Sequence, residues 1–212
     1  MPRYTWIFSV FCLSAVLVMT FTSLAPAQHR VRAKIGIRIQ SGDTIVRAKT
    51  KERITTRDLL RLYIIPEEDS YVYIVHTDKK SVNLLNEKGK TQFKQGTILI
   101  IPSDYSFDLR FDGANLRETL TIICSPTRLG DVETLLFKSV DVPYTKWVGL
   151  EKEMINKSKI PLGGKSEKPF PIAGSVRSIE GYGTLNDPFL KELRISSGKS
   201  LLVKQYEFTV KK

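Results

Sequence analysis

Apolar residues and cations alternate along one early stretch of the chain: Val31, Ala33, Ile35, Ile37 and Ile39 fall on one face of an extended backbone, Arg30, Arg32, Lys34 and Arg38 on the other. A period of two predicts a strand half buried against a core, here with a cationic outer face. Ser41-Gly42-Asp43 turns the chain into a second arm, Thr44 to Ala48. Leu60 to Ile65 follows and stops at Pro66, and Glu67-Glu68-Asp69 supplies an acidic turn. The run from Tyr71 to Val75 is β-branched or aromatic at every position, so both of its faces are expected to be covered; it is the predicted central strand.

Further strands are predicted at Ser81 to Leu85, Thr97 to Ile101, Ser106 to Phe111 and Glu118 to Cys124. Phe107, Leu109 and Phe111 alternate with Asp108 and Arg110, as a one-sided surface strand requires. After Asp131 the spacing changes. Val132, Leu135 and Leu136 suit a short helix, and Pro143 opens a second whose Tyr144, Trp147, Val148, Met154 and Ile155 form an apolar stripe, expected to pack on the sheet. Lys157 to Pro171 reads as a loop. Leu190 to Ser196 and Leu201 to Val210 then form a hairpin turned by Ser197-Gly198, with the long last strand pairing back into the first sheet. The expected fold is mainly β: an antiparallel β-sandwich or open barrel, with one or two short helices inserted before a C-terminal β-hairpin.

The N-terminus has a different character. Arg3 precedes an apolar run from Trp6 to Phe21, and Ala25-Pro26-Ala27 places small residues before Gln28. This reads as a cleaved secretory signal over residues 1–27, because the run is shorter than the roughly 20 apolar residues a spanning helix needs. Cys12 lies inside the apolar run and does not fit a lipidation site. Residues 28–212 are then one β-rich domain with a core at 43–130, a helical insertion at 131–158, a loop at 159–188 and the hairpin at 189–212. The expected location is periplasmic or secreted, with no transmembrane span after cleavage.

Among 212 residues there are two Cys and two His. Cleavage leaves Cys124 as the lone thiol, which excludes an internal disulfide and argues against zinc or iron-sulfur ligation. Flanked by Ile122 and Ile123, Cys124 reads as a small buried hydrophobe. No metal or other cofactor is expected.

The turn and strand pattern also carries a likeness. Leu60-Arg61-Leu62-Tyr63, Tyr71-Val72-Tyr73-Ile74-Val75, Val82-Asn83-Leu84-Leu85, Gly96 before Ile101-Pro102, and Glu118-Thr119-Leu120 through Ser125-Pro126 resemble an uncharacterised bacterial envelope domain family, the domain of unknown function 4384 type. The resemblance covers roughly residues 43–130, with an echo at Leu201 to Phe208. Members occur in envelope proteins and fused to caspase-like peptidases or protein kinases, which implies a β-rich accessory module with no catalytic residue to carry over. The family usually has Gly and Pro in its middle turns, where this chain has Asp78-Lys79-Lys80 and Asn86-Glu87-Lys88.

Catalytic motifs are sparse. There is no G-x-S-x-G elbow, and only His29 and His76 could serve as imidazole bases. A dyad of Cys124 and His76 is the sole cysteine-hydrolase option; the carboxylates available for glycosidic chemistry are Glu67, Glu68, Asp69, Asp104, Asp108, Asp112 and Glu118, mostly in turns. Gly163-Gly164-Lys165-Ser166 resembles half of a phosphate-binding loop but has Lys159 where the first glycine belongs. Asn156-Lys157-Ser158 fits a glycosylation acceptor that a bacterial chain is expected to leave unused.

Charge is the one feature with direct functional content. The formal net charge is +11, and residues 28–62 hold ten basic against three acidic residues. A second excess lies beyond residue 150, while the middle is slightly acidic. A cationic face raises the local concentration of polyanions. The leading expectation is an exported, non-enzymatic binding module whose surface includes Arg30, Arg32, Lys34, Arg38, Arg47 and Lys49. Its partner would be an envelope protein or an anionic envelope polymer or lipid surface. Nucleic acid is disfavoured, because few aromatics accompany the cations. Two alternatives stand beside it: a cryptic hydrolase using Cys124 and His76 or a carboxylate pair, and a structural subunit docked through Trp147 or a free edge strand.

Overall fold

The computed structural model describes residues 30–104, 106, 108–137, 142–160, 178–180 and 187–211. The segment expected to be a secretory signal, residues 1–27, lies outside them, as do Cys12, His29, Phe107 and Gly163 to Ser166. In chain order the strands are β1 (Val31–Ser41), β2 (Thr44–Arg47), β3 (Lys51–Thr55), β4 (Leu59–Pro66), β5 (Ser70–Thr77), β6 (Ser81–Leu84), β7 (Gln92–Phe93), β8 (Thr97–Ile101), β9 (Arg117–Ser125), β10 (Val142–Pro143), β11 (Ser178–Glu180), β12 (Arg194–Gly198) and β13 (Leu202–Lys211). The helices are α1 (Gly130–Leu136) and α2 (Tyr144–Ser158).

Two sheets face each other and neither closes into a barrel. The first runs β11-β8-β4-β1-β12, and the second runs β10-β6-β5-β9-β13-β3 with β7 beside β5. In the first sheet β12 covers the start of one edge of β1 and β2 covers its end. Pairing is antiparallel except for β11 on β8 and β3 on β13. The fold is therefore the expected β-sandwich.

Alternation decides what each strand buries. The inward residues of β1, from Val31 to Ile39, meet Leu60, Leu62 and Ile64 of β4 and, from the other sheet, Val72, Ile74, Leu120, Ile122, Tyr206 and Phe208. Cys124 sits in this core as well, fully buried. The predicted central strand is β5, whose other face, Tyr73 and Val75, joins Ile123, Val132, Trp147 and Met154 in a second core beneath the helices. A third, smaller cluster covers the outside of the first sheet. There Phe189 and Leu193, in and just after the 3-10 turn Pro188–Glu192, pack on Tyr63, Ile65, Ile98 and Ile100. Gly36 permits that approach, since a Cβ there would stand 2.7 Å from Leu193 Cδ2.

The turns at residues 78–80 and 86–88 contain neither Gly nor Pro. Lys79 and Lys88 take left-handed φ values of 68° and 51°. Buried Asn86 stands in for a strand beside β5: it accepts from Ile74 N at 2.9 Å and donates to Val72 O and Lys90 O at 2.9 and 2.8 Å. Each side-chain bond satisfies a backbone or amide group that burial would otherwise penalise.

Four expectations need correction. Ser106 to Phe111 is not a strand among its described residues; Leu109 makes an isolated bridge to Leu60, while Asp108 is drawn to Arg61 at 2.9 Å. The strand β3 was not expected. Within the expected 159–188 loop, Ser178–Glu180 forms β11. The two C-terminal arms exist, but β12 joins the first sheet and β13 the second, between β9 and β3. The crossing is tight: a Cβ on Gly198 would lie 2.0 Å from Leu201 O. The end of α2 braces it, with Lys199 N donating to Ser158 O and Val203 N to Ser158 Oγ.

Candidate binding surfaces

The hydrolase geometry can be decided from register. Cys124 pairs with Val72, and His76 pairs with Leu120. The two candidates are thus four positions, about 13 Å, apart along the sheet. Burial pushes the Cys124 thiol up to about 12, far from a nucleophilic thiolate. His76 is committed elsewhere: its Nε2 lies 2.8 Å from Glu118 Oε2, and its ring stacks on Phe111 with centroids 5.4 Å apart. Burial raises the Glu118 carboxyl above its ordinary value, helped by Asp78 and Asp112, against the bond and charge of His76. The pair closes one end of the main core.

Trp147 is fully buried beneath α2 and offers nothing for docking. The buried stripe of that helix is Trp147, Glu151, Met154 and Ser158, whereas Val148, assigned to the stripe by sequence, is exposed. At the neighbouring helix α1, Tyr73 Oη donates to Glu133 Oε1 at 3.0 Å and accepts from Leu129 N at 3.0 Å. Arg128 Nη2 stands 2.5 Å from Glu133 Oε2 and holds that carboxyl below its ordinary value. Burial raises the Tyr73 phenol to about 12. This network fastens α1 to β5.

The predicted basic face divides. Arg32, Lys34 and Arg38 share the outer side of β1, but Arg32 Nε lies 3.1 Å from Glu67 and Arg38 Nη2 lies 3.6 Å from Asp108. Both arginine side chains are largely buried, at 17% and 15% exposure. Arg30 precedes β1, half buried, and Lys49 is exposed after β2. Sequence reasoning missed Arg61, whose side chain is 1% exposed with Nε 2.9 Å from Asp108. The register pairs Arg47 with Arg38, and Arg38 with Arg61. Three arginines therefore form one cross-strand row over β2, β1 and β4. Like charges directly opposite one another repel. Asp108 is in ion-pair range of two members of this row, Arg38 and Arg61, and stands nearer to Arg61. Arg47 also reaches close enough to Tyr206 to oppose the rise of that phenol, which burial takes to about 12. Next to this row β2 exposes Ile45 and Val46.

A cavity lies on the opposite side of the sandwich. About 470 Å³ lies between α2 and the outer face of the second sheet, lined by residues that include Thr77, Lys79, Arg117, Thr119, Tyr144, Glu151, Gln205 and Thr209. Glu151 is buried there by neutral donors: Gln205 Nε2 at 2.9 Å, Thr121 Oγ1 at 3.2 Å and Tyr144 Oη at 3.3 Å. Among the described residues there is no group of His, Cys, Asp and Glu able to hold a metal ion, and no helix long and apolar enough to cross a membrane.

No family model, no curated protein and no solved structure matches this chain.

Proposed function

We propose that the chain is an exported, non-enzymatic binding module of the bacterial cell envelope that holds an anionic partner, an envelope protein or an acidic polymer or lipid surface, on the outside of its first sheet. The observation that carries this reading is the row Arg47, Arg38 and Arg61, set side by side by strand register with Asp108 as its nearby carboxylate. A row of like charges is relieved by an external anion, so the binding free energy includes relief of internal repulsion. Asp108 pairs with Arg61 and reaches the largely buried Arg38, which leaves Arg47 as the contact residue of the row, with Lys34 and Lys49 beside it. Arg32 is occupied by Glu67 and contributes support rather than contact. Export and the bacterial setting come from the N-terminal pattern and the family resemblance.

The test is binding of the purified protein to phosphatidylglycerol vesicles and to soluble polyglutamate, each compared with an uncharged counterpart. Arg47→Glu combined with Lys34→Glu is expected to abolish binding to both anions, and added salt to weaken it in the parent protein. Undiminished binding by the double variant would overturn the reading.

A further inference from the structure

The cavity beneath α2 has no part in the arginine row and faces away from it. Its floor is built from outward positions of three strands: Thr77 of β5, Thr119 of β9, and Gln205 and Thr209 of β13. The pairings Thr77 with Thr119 and Gln205 with Thr121 bring these residues together. Nearer the middle of the helix the same face of the sheet is apolar, with Val75, Ile123 and Val203 packed under Trp147. Beyond that cover it turns to hydroxyls and amides.

Glu151 is the fixed element of the wall. It reaches from α2 into the sheet face and is gripped by Gln205, Thr121 and Tyr144, which orients donors and acceptors before any ligand arrives. Two of the carboxylates at the site are spoken for: Glu118 by His76 at 2.8 Å, and Glu207 by Lys51 at 3.8 Å. Lys79 and Arg117 are different. Lys79, in the turn after β5, and Arg117, the first residue of β9, both line the cavity, and neither has an ion-pair partner among the described residues. Hydroxyl and amide groups suit a polyhydroxylated ligand, and a pair of uncompensated cations suits an anionic substituent upon it. The volume falls within the range of about 300–1,000 Å³ usual for small-ligand sites. Ile155, Tyr144 and Phe208 supply the apolar surface of the lining, which is too little for an acyl chain.

We propose that this cavity binds a sugar residue bearing a carboxylate or phosphate. Lys79 and Arg117 hold the anionic group, while Gln205, Thr119 and Thr209 meet the ring hydroxyls.

Titration calorimetry on the whole protein with trigalacturonate, glucose phosphate and neutral maltotriose tests this. At least one acidic sugar should bind in equimolar ratio and maltotriose should not; which acidic sugar binds separates a uronic acid from a phosphorylated sugar. Lys79→Glu with Arg117→Glu should weaken binding by about tenfold or more, the loss expected when charge-assisted hydrogen bonds are removed. Thr209→Trp, at an exposed strand position that tolerates an aromatic, should block the cavity without disturbing the fold. Arg47→Glu should leave this binding unchanged, which keeps the test separate from that of the arginine row. Failure of both acidic sugars to bind, equal binding of maltotriose, or undiminished affinity in the cation-reversed or Thr209→Trp variants would overturn the proposal.

Discussion

Glu118 is a carboxyl placed where ionisation is disfavoured, with His76 as its partner at 2.8 Å. Because burial raises its folded value above the unfolded one, its contribution to stability is full below about pH 4, the unfolded range, and is lost as pH rises through the folded value. Glu118→Gln keeps a hydrogen-bonding partner for His76 but cannot ionise. Urea unfolding should therefore find the variant as stable as the parent in acid and relatively more stable at neutral pH. Asp108 matters instead as an ion-pair partner. It stands 2.9 Å from buried Arg61, and Asp108→Asn should cost about 3 kcal/mol in the same assay, since removing one partner of a buried ion pair leaves its charge less well compensated. Cys124, fully buried with its thiol near pKa 12, should label with a thiol reagent only at the rate of unfolding. Rapid labelling of the native protein would contradict that burial.

At the level of elements, the parts buried on both faces or in strict alternation were legible and the parts defined by distant partners were not. In β1, five inward residues and their outward cations specify one strand, and β5 declared itself by having no polar side. By contrast β3 has one buried apolar residue, Ile54, and exists because its backbone pairs with β13 more than 150 positions away. Gly198 looks locally like the tip of a hairpin. What sends the two arms into different sheets is its contact with Leu201 and the brace from Ser158, neither visible in local pattern. The cavity was hidden for the same reason, its threonines being scattered among strands that only register aligns. Trp147 was found by its helical spacing yet assigned to docking as well as packing, because spacing identifies an apolar face without naming what covers it. Trp147→Ala should cost about 3–5 kcal/mol by opening a void between α2 and the second sheet. Gly36→Val should dislodge the Pro188–Glu192 turn, read as faster proteolysis there while the main core keeps its amide protection.

For the whole molecule, two groups of cations lie at separate places. The early cations gather on the outside of the first sheet, where Glu67 and Asp108 neutralise part of them. Arg117 and Lys79, from the middle of the chain, gather at the far cavity. A sandwich keeps such groups on opposite sides of one apolar core. The strand β13 ties this arrangement together. It lies between β9 and β3, pairing with β9 from Leu202 to Thr209 and with β3 through Lys211. A chain still being synthesised has its early strands in hand long before this one, yet it cannot seal the second sheet until residue 211 has left the ribosome. Closure of the second sheet therefore waits on β13, the strand that bridges β9 and β3.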